Sequence, residues 1–476
     1  MFWFVVLSIV FVLSIIWFLY DRHPKKRLTV PGVSASDPQL GNLGDIGKAG
    51  SLHQYLTELH KKFGPIVSFY WNKGPVVSIA SPQAFHETRR LFDRPVSLFA
   101  QFEPLIGKYS IQYANGDSGK SRRKHHYDPA LSLTSLRNHF FEIFENVLRE
   151  KLPQWRGKKD KSIALHSEML AMAIRSVTLT IFGSSILSGD EKRIEQAYNT
   201  CWHEMEIRVQ GQPTNLEREL QFQQARNYFL KKVKEIIAEC RRRSADGSSE
   251  KCFIDYLLTD GDETTISEEH VCDEVITMLV GGFHTTGNLL TWMLYYLAKD
   301  QDVQQRLYDE LIQTYDTEFP SFEQIEQMSY LNKIFNESLR LSVLAPWAAR
   351  VSTDEELVIC GHTIPAGVPI IQALGVVLKD EHIWLDADQF NPDRFDPNNK
   401  KKLPTFAFSP FGFAGKRICP GYRFAQYEAC LVVAGIIRTF RVTLVDPTSS
   451  VIPVHGLVTT PKDEIFALFT PREICL

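Results

Sequence analysis

Apolar residues follow three successive patterns along the chain. Residues 2 to 20 are apolar, with no charge and no proline among them. Residues 66 to 80, IVSFYWNKGPVVSIA, form two runs rich in β-branched residues around Asn-Lys-Gly, which predicts a β-hairpin. From about residue 130 to 345 the apolar positions recur every three or four residues, and this period predicts helices. The chain is therefore expected to have an apolar start, a small β part and a mainly helical body.

Two segments of the helical region have the clearest pattern. Residues 216 to 243 carry apolar side chains on one face, which predicts an amphipathic surface helix. The pattern of residues 268 to 300 predicts a long apolar helix with a kink at the small residues in its middle. Short strands follow in EELVICGHTIPAG, and a last helix is expected from about Pro420 to Phe440. These elements predict one mainly α domain with a smaller β part.

Residues 1–21 are expected to be a transmembrane signal anchor. At about 1.5 Å per residue, the apolar run matches the ~30 Å hydrocarbon core of a bilayer. A cleaved signal peptide would have a basic start and a small-residue cleavage site, and neither is present. The basic segment DRHPKKR follows the span, so the positive-inside rule places the rest of the chain in the cytosol. Residues 22–40 are then a basic, proline-containing linker, and residues 41–476 form the functional domain.

Composition narrows the classes of function. The 476 residues have a net charge of -3, which gives no reason to expect a nucleic-acid partner. The eight cysteines include no CxxC pair, so neither a disulfide framework nor a zinc site is indicated. Seven of them fit the ordinary role of a buried free thiol. Cys419 is the exception because of the residues around it.

Cys419 lies in FAFSPFGFAGKRICPGYRFA, directly before the last helix. A helix N-terminus and the cations Lys416 and Arg417 lower the pKa of a thiol and favour the thiolate. Gly415 and Gly421 lack the Cβ atoms that would keep a flat cofactor away from the backbone. The loop therefore predicts a thiolate ligand to a metal.

This loop resembles the haem loop of the cytochromes P-450, F-x-x-G-x-R-x-C-x-G. Four of its residues fit that pattern: Gly415, Arg417, Cys419 and Gly421. The resemblance implies haem b as the cofactor, with Cys419 as the axial thiolate ligand of its iron. It also implies that the other three residues belong to the haem-binding site.

Further motifs extend the resemblance over essentially the whole chain. Glu337 and Arg340 in NESLR resemble the family's E-x-x-R pair, and Arg394 in FNPDRF resembles its P-x-R-F segment. Together these imply the family's buried Glu-Arg-Arg triad behind the haem. Arg350, four residues past Pro346, lies where the family commonly has an arginine for a haem propionate, and a guanidinium suits a carboxylate bidentately.

The middle of the long helix departs from the family pattern. GGFHTTGN resembles the oxygen-groove motif [AG]-G-x-[DE]-T-[TS], but His284 stands where the acid is expected, directly before Thr285. In the family, the acid and the threonine relay protons to the distal oxygen. Thr285 keeps the hydroxyl. Two hypotheses stay open for His284: it passes protons near neutral pH, or it packs away from the groove.

Two further departures concern haem retention. The family's W-x-x-x-R, counted back from DPALS, falls on Lys120 and Lys124. A lysine neutralises a propionate as a point charge, without the arginine fork, and His125 is another candidate donor. The phenylalanine expected seven residues before the cysteine is Gly412. A phenylalanine flanks that position on each side, and Phe411 is the expected cofactor contact.

The segments GSLHQYLTELHKKFGPIVSFYWNKG, LGVVLKD and FGFAGKRICP resemble family 20 of the cytochromes P-450, an orphan branch without an agreed substrate. The resemblance implies a monooxygenase that inserts one oxygen atom of O₂ into a lipophilic small molecule, such as a steroid, a fatty acid or another lipid. Electrons are expected from an NADPH-dependent reductase. Residues 41–476 are then a haem-thiolate catalytic domain, held on the cytosolic side of the endoplasmic reticulum membrane by a single span.

Two other functions stay open. The missing acid before Thr285 motivates a haem-thiolate isomerase or a peroxide-using enzyme, since such reactions need no proton delivered to a distal oxygen. A non-catalytic haem-binding sensor or scaffold is the third hypothesis. The complete E-x-x-R pair and the intact cysteine loop count against it.

Overall fold

The computed structural model describes residues 28–158, 161–183, 191–209, 214–245, 251–258, 267–413, 415–448 and 450–473. The expected anchor at residues 1–21 and the start of the linker lie outside these ranges. Within the ranges, each helix is too short or too polar to span a bilayer. The last part of the expected linker packs on the domain: Val30 is buried, and the Ser68 amide donates to the Pro31 carbonyl at 2.8 Å.

Helices form most of the described residues, as the apolar period predicted. The helices are α1 (Leu43–Ala49), α2 (Leu52–Phe63), α3 (Pro82–Thr88), α4 (Val96–Phe99), α5 (Glu103–Ile106), α6 (Gly116–Arg122), α7 (Asp128–Ala130), α8 (Leu133–Ser135), α9 (Phe141–Arg156), α10 (Leu165–Phe182), α11 (Glu191–Val209), α12 (Leu216–Ala245), α13 (Phe253–Leu257), α14 (Glu268–Lys299), α15 (Gln301–Thr314), α16 (Phe322–Gln327), α17 (Ser329–Ser342), α18 (Leu374–Leu378), α19 (Pro397–Lys400) and α20 (Tyr422–Thr439). Short 3₁₀ helices occupy Ala100–Phe102, Pro392–Phe395 and Gly415–Arg417. Short π-helices occupy Arg123–Tyr127 and Leu136–Phe140.

The strands form a smaller part, also as predicted. They are β1 (Ile66–Trp71), β2 (Gly74–Ile79), β3 (Ile163–Ala164), β4 (Ala348–Arg350), β5 (Leu357–Ile359), β6 (His362–Ile364), β7 (Ile370–Gln372), β8 (Phe440–Leu444), β9 (Pro453–His455), β10 (Thr459–Pro461) and β11 (Phe466–Pro471). One sheet has the order β1-β2-β7-β4 and another β3-β11-β8, while β5–β6 and β9–β10 are separate pairs. The predicted hairpin is confirmed as β1 and β2, and Asn72 in its turn has φ 52°.

The long predicted helix is confirmed as α14, which runs without a break through the hydrophobic core and packs against α10. The small residues in its middle allow this close packing. A Cβ on Gly282 would lie 2.6 Å from Val177, and a Cβ on Gly287 would lie 2.7 Å from Leu170. Such distances are far inside van der Waals contact, so larger side chains would push the two helices apart.

The amphipathic helix expected at residues 216 to 243 is confirmed as α12. Its apolar face is buried at Phe222, Phe229, Val233 and Ile237, whereas Leu220 is 53% exposed. The last helix is confirmed as α20. It begins three residues after Cys419 and is packed between α9 and α14, so it fixes the cysteine loop to the core.

Candidate functional site

The loop before α20 is held by hydrogen bonds within its own backbone. The Cys419 amide donates to the Phe411 carbonyl at 2.9 Å, and the Gly415 amide donates to the Phe413 carbonyl at 2.9 Å. Gly412 and Gly415 have φ of 79° and 47°, a conformation that disfavours a side chain. The glycine at position 412, where the family has a phenylalanine, therefore serves the turn. The loop leaves Cys419 half-buried.

The surroundings of the Cys419 thiol act on its pKa in opposite directions. Burial raises that pKa, while the Gly421 amide and the charges of Arg123 and Arg94 lower it. Lys416, which was also expected to act on the thiol, is exposed. Because burial dominates, the free thiol is protonated at neutral pH. A metal ion bound at the sulfur would displace that proton, and the charges of Arg123 and Arg94 would then help to stabilise the thiolate.

Four arginines, three buried and one half-buried, form a cluster beside this loop: Arg94, Arg123, Arg350 and Arg417. Burial, together with the nearby charge of Arg94, lowers the pKa of Arg417 to about 8 and that of Arg350 to about 9. Of the four, only Arg123 has a salt bridge among the described residues, to Asp128 at 2.8 Å. The cluster therefore holds more buried positive charge than its carboxylates neutralise.

Backbone carbonyls accept hydrogen bonds from several guanidinium donors of this cluster. Arg417 donates to the carbonyls of Phe92 at 3.0 Å and Ile111 at 3.1 Å, and also to the Ala114 carbonyl. Arg350 donates to its neighbour Ala349 at 2.6 Å, while its buried Nε has no partner in the described part of the chain. Carbonyls fix the geometry but leave the charge, which suits an additional carboxylate.

The two lysines expected at a propionate are accessible to solvent in the structure. Lys120 and Lys124 are both exposed, and Lys120 pairs with Asp117 at 3.1 Å. Between them in the sequence, Arg123 is buried and donates to the Ile418 carbonyl at 2.9 Å, one residue before Cys419. Arg123 and Arg94 were not anticipated from the sequence. The sequence offers a signal for Arg123, which lies inside the segment aligned with W-x-x-x-R, and none for Arg94.

Phe411 and Gly421 border Cys419 on the two sides of the loop. The Phe411 ring is half-buried and stacks against Phe335, with ring centroids 6.3 Å apart. Gly421 precedes α20, and a Cβ there would meet no atom of the described residues within 4 Å. Phe413 packs the other way, stacked on Phe85 at 4.5 Å in a separate hydrophobic cluster. Of the two phenylalanines that flank Gly412, only Phe411 accepts the backbone hydrogen bond of Cys419.

The groove motif in the middle of α14 has one open face. Gly281 is exposed and Thr285 half-buried, although the residues that follow them along the helix are packed in the core. The Thr285 hydroxyl donates to the Gly281 carbonyl one turn earlier. A Cβ on Gly281 would meet no described atom within 4 Å. A hydroxyl and an open carbonyl face are therefore available on this side of the helix.

His284 packs away from that face, among aromatic rings of α11 and α14. Its ring centroid lies 4.4 Å from that of Trp202, 5.7 Å from that of Tyr198 and 4.2 Å from that of Phe283. Burial lowers the pKa of His284 to about 3, so the imidazole is neutral at pH 7. Its Nε2 has no hydrogen-bond partner within the described ranges. Of the two hypotheses for His284, this geometry favours packing.

Glu337, Arg340 and Arg394 form one connected group at the end of α17. Arg340 holds the Glu337 carboxylate with both Nε, at 2.7 Å, and Nη2, at 2.8 Å, and both side chains are fully buried. Arg394 donates to the same carboxylate at 3.2 Å. Arg340 also donates to the carbonyls of Ala387 at 2.8 Å and Leu378 at 3.1 Å. The group ties α17 to the irregular segment before the cysteine loop.

These residues fit a haem. The unpartnered Nε of Arg350 and the excess charge of the arginine cluster match two propionate carboxylates. The open space beside Gly421 allows a flat macrocycle to approach the backbone. Thiolate sulfur is a ligand of haem iron that favours O–O cleavage. The donors of this site are therefore those that a haem with an axial cysteine requires.

Comparison with known proteins agrees with this fit. The family model for cytochrome P450 matches residues 31–468. Cytochrome P450 20A1 of Homo sapiens is 27% identical over 479 residues, 98% of this chain and 99% of the relative. The mouse protein of the same name is 28% identical over 478 residues, with the same coverage. Pentalenene oxygenase of Streptomyces avermitilis is 29% identical over 374 residues, 77% of this chain and 80% of the relative.

These matches confirm the resemblance to the cytochromes P-450 and to family 20, and with it haem as the cofactor and an axial cysteine thiolate as the iron ligand. The family model covers nearly all of the region expected to be the catalytic domain. The chain belongs to the cytochrome P450 family of haem-thiolate monooxygenases.

Proposed function

We propose that this chain is a membrane-anchored monooxygenase that inserts one oxygen atom of O₂ into a lipophilic small molecule, with Cys419 as the iron ligand. The observation that carries the proposal is the buried arginine cluster beside the half-buried Cys419. A cluster with this much unneutralised charge is costly unless an anionic group binds there. The haem carboxylates are such a group.

Each residue of the cysteine side has a defined part in this proposal. Cys419 supplies the thiolate, and Gly415 and Gly421 keep the backbone narrow beside the macrocycle. Arg350 and Arg417 hold the propionates, with Arg94 and Arg123 adding charge. Glu337, Arg340 and Arg394 hold the segment behind them. When bound, haem supplies the activation of O₂ by two electrons received one at a time.

Proton delivery is assigned to Thr285. Its hydroxyl donates to the Gly281 carbonyl, so its lone pairs are free to accept a hydrogen bond from water in the groove. A water held there can pass a proton toward the O₂ that is being reduced. His284 is too deeply packed and too weakly basic to protonate near pH 7. We assign it to packing, so the proton comes through Thr285 and water.

A reductase is proposed to dock beside the cysteine loop. Four lysines near Cys419 in the sequence are exposed, Lys400, Lys401, Lys402 and Lys416, and Arg423 is half-buried. Because Arg123 joins its own segment to the Ile418 carbonyl, the exposed Lys120 and Lys124 belong to the neighbouring surface. A basic surface of this kind attracts an acidic partner and speeds encounter. We therefore assign Lys120 and Lys124 to this docking surface and not to a haem propionate.

The lipophilic substrate and the membrane are proposed together. Residues 2 to 20 would hold the protein at the endoplasmic reticulum membrane, from which an apolar substrate partitions. We assign Trp347 and Phe283 to the lining of the substrate pocket: Trp347 stacks on Phe99 at 5.7 Å, and Phe283 is buried on α14. Pockets with such lining bind largely apolar molecules. Steroids, fatty acids and other lipids remain the expected class.

The proposal is tested with purified full-length protein. The reduced, CO-bound difference spectrum should show the thiolate Soret band. With added NADPH-dependent reductase, a lipophilic substrate found by a spectral-shift screen should take up one ¹⁸O atom from ¹⁸O₂. A well-folded protein with no thiolate band would overturn the assignment of the site. A normal band with no ¹⁸O uptake from any binding compound would overturn the reaction.

A second candidate reaction is driven by peroxide. It is favoured by one observation: the acid of the groove motif is absent, and His284 in its place is packed and neutral. Hydrogen peroxide already carries the protons and electrons that O₂ needs from a relay and a reductase. Turnover by peroxide at a rate well above that with reductase and O₂ would favour this candidate.

A further inference from the structure

Residues 107–115, here called the strap, connect α5 and α6 and pass over the N-terminal half of α14. Two neighbouring acids of α14 hold its backbone. Asp273 accepts the Tyr109 amide at 2.9 Å, and Glu274 accepts the Ile111 amide at 3.0 Å. Thr277, one turn along the same helix, donates to Ser110 at 2.7 Å. One face of α14 therefore binds three consecutive residues of the strap.

Glu274 has donors from three parts of the chain. Besides the Ile111 amide, its buried carboxylate accepts the Tyr127 hydroxyl at 2.6 Å and forms an ion pair with Arg122 at 3.2 Å. Arg122 also donates to the carbonyl of Tyr109 in the strap. A carboxylate with this many donors holds a fixed position, and charge-assisted hydrogen bonds are the stronger ones.

The opposite side of the strap is bonded to the cysteine loop. Arg417 donates to the Ile111 carbonyl at 3.1 Å, to the Ala114 carbonyl, and to Asn115 Oδ1 at 3.3 Å. Asn115 in turn accepts the Arg94 amide and donates to the Arg94 carbonyl, both at 2.9 Å. Ile111 is thus the direct link. Its amide is on Glu274 and its carbonyl is on Arg417.

The strap also lies too close to α14 to be held by loose packing. Gly107 has φ 76°, and a Cβ there would lie 1.9 Å from Asp273 Oδ1. Only a glycine permits both the backbone conformation and this approach. Gly107 therefore helps to fix the strap over Asp273 and Glu274, and these two carboxylates accept backbone amides of the strap.

We propose that Glu274 is a positioning residue that acts through Ile111 to hold Arg417 in the arginine cluster and so to retain haem. This inference rests on the proposed haem site. Without the Glu274 carboxylate, the Ile111 amide is unsatisfied and the strap shifts to find water. Arg417 then loses the carbonyls that orient its guanidinium. By reciprocity, a haem that fixes Arg417 also fixes the strap on α14.

The test measures haem release and strap mobility in the full-length holoprotein. Glu274→Ala is expected to transfer haem to excess apomyoglobin about tenfold faster than wild type, and Glu274→Gln, which keeps an oxygen acceptor, less than that. Amide hydrogen exchange at residues 107–115 should accelerate in the same order. Tyr127→Phe removes only one of the donors to Glu274, so haem release should rise less than in Glu274→Ala. This variant still tests the proposal if Glu274→Ala folds poorly.

Glu310→Ala is the matched control. Glu310, on α15, also accepts two backbone amides, those of Tyr330 at 2.7 Å and Leu331 at 2.9 Å, but it does not touch the strap. Haem release from Glu310→Ala should stay near wild type. Equal release from the Glu274 and Glu310 variants would overturn the positioning role. A wild type without the thiolate Soret band would instead reject the proposed site, and strap exchange would still report on Glu274.

Discussion

On the cysteine side of the candidate site, polar groups are fixed by hydrogen bonds: Arg417 donates to several carbonyls, and the Cys419 amide to Phe411. On the groove side, His284 is held among the rings of Trp202 and Phe283, and its Nε2 has no hydrogen-bond partner among the residues that the structure describes. The first region is defined by buried positive charge and by the direction of its hydrogen bonds. The second is defined by the packing of aromatic rings. Substitutions should therefore act through lost charge and geometry in the first region and through protonation and packing in the second.

The largest effect is expected from Cys419→Ala. Removal of the sulfur takes away the proposed iron ligand while the arginine cluster stays, so the protein should keep its fold but lose the thiolate Soret band and all reductase-driven turnover. The measurement is the reduced, CO-bound difference spectrum with circular dichroism as the check of folding. A thiolate band that persists in this variant would show that another group ligates the iron.

Glu337→Ala should have the next largest effect. It leaves Arg340 and Arg394 without their carboxylate in a fully buried site, and breaking such a pair costs about 3–5 kcal/mol of the unfolding free energy. Urea unfolding of the holoprotein measures this cost. Glu318→Ala is the control, because its ion pair with Arg149 is exposed at 3.1 Å and is worth less than about 1 kcal/mol. Similar losses in both variants would contradict the structural role of the triad.

The cysteine side could be predicted from sequence further than the groove side. The cysteine loop and the E-x-x-R pair are local patterns, since Cys419 and its glycines, or Glu337 and Arg340, are close in the chain. Arg94 and Arg123 reach the loop from segments about 300 residues away, which no local spacing reveals. The same limit applies to the strap, because backbone amides that bind Glu274 leave no mark on the side-chain pattern.

His284 shows why the groove side was harder to predict. The groove motif locates His284 in the sequence. The rings that surround it in space, those of Tyr198 and Trp202, belong to α11, more than 80 residues earlier. Whether a histidine relays protons or packs depends on what surrounds it in space. The structure supplies those partners, and both hypotheses now lead to different measurements.

His284→Phe tests the packing role through pH. The folded pKa of His284 is lowered to about 3 from 6.5, so the unfolded state binds its proton first, and the unfolding free energy falls as pH drops below 6.5. At pH 5 this term amounts to about 2 kcal/mol. The variant should lack it, so its loss of stability between pH 7 and pH 5 is smaller, and its turnover should match wild type.

Urea unfolding at several pH values measures this difference. His53, His60 and His455 also have lowered pKa values because of burial, but they are present in both proteins and cancel. Parallel stability curves for wild type and variant would mean that His284 titrates normally. Slower turnover with unchanged stability would instead support the proton-relay hypothesis.

The smallest effect is expected from removing the exposed lysines. Lys120→Ala with Lys124→Ala should leave haem release unchanged and raise the KM for the reductase by about two- to fivefold at low salt, an effect that disappears at high salt. Lys48→Ala, an exposed lysine on α1, is the control and should change neither quantity. Because Arg123 is buried and lies between the two lysines in the sequence, the proposed haem site would keep a cation without them. Faster haem release with an unchanged KM would return these lysines to the propionate role and remove them from the docking surface.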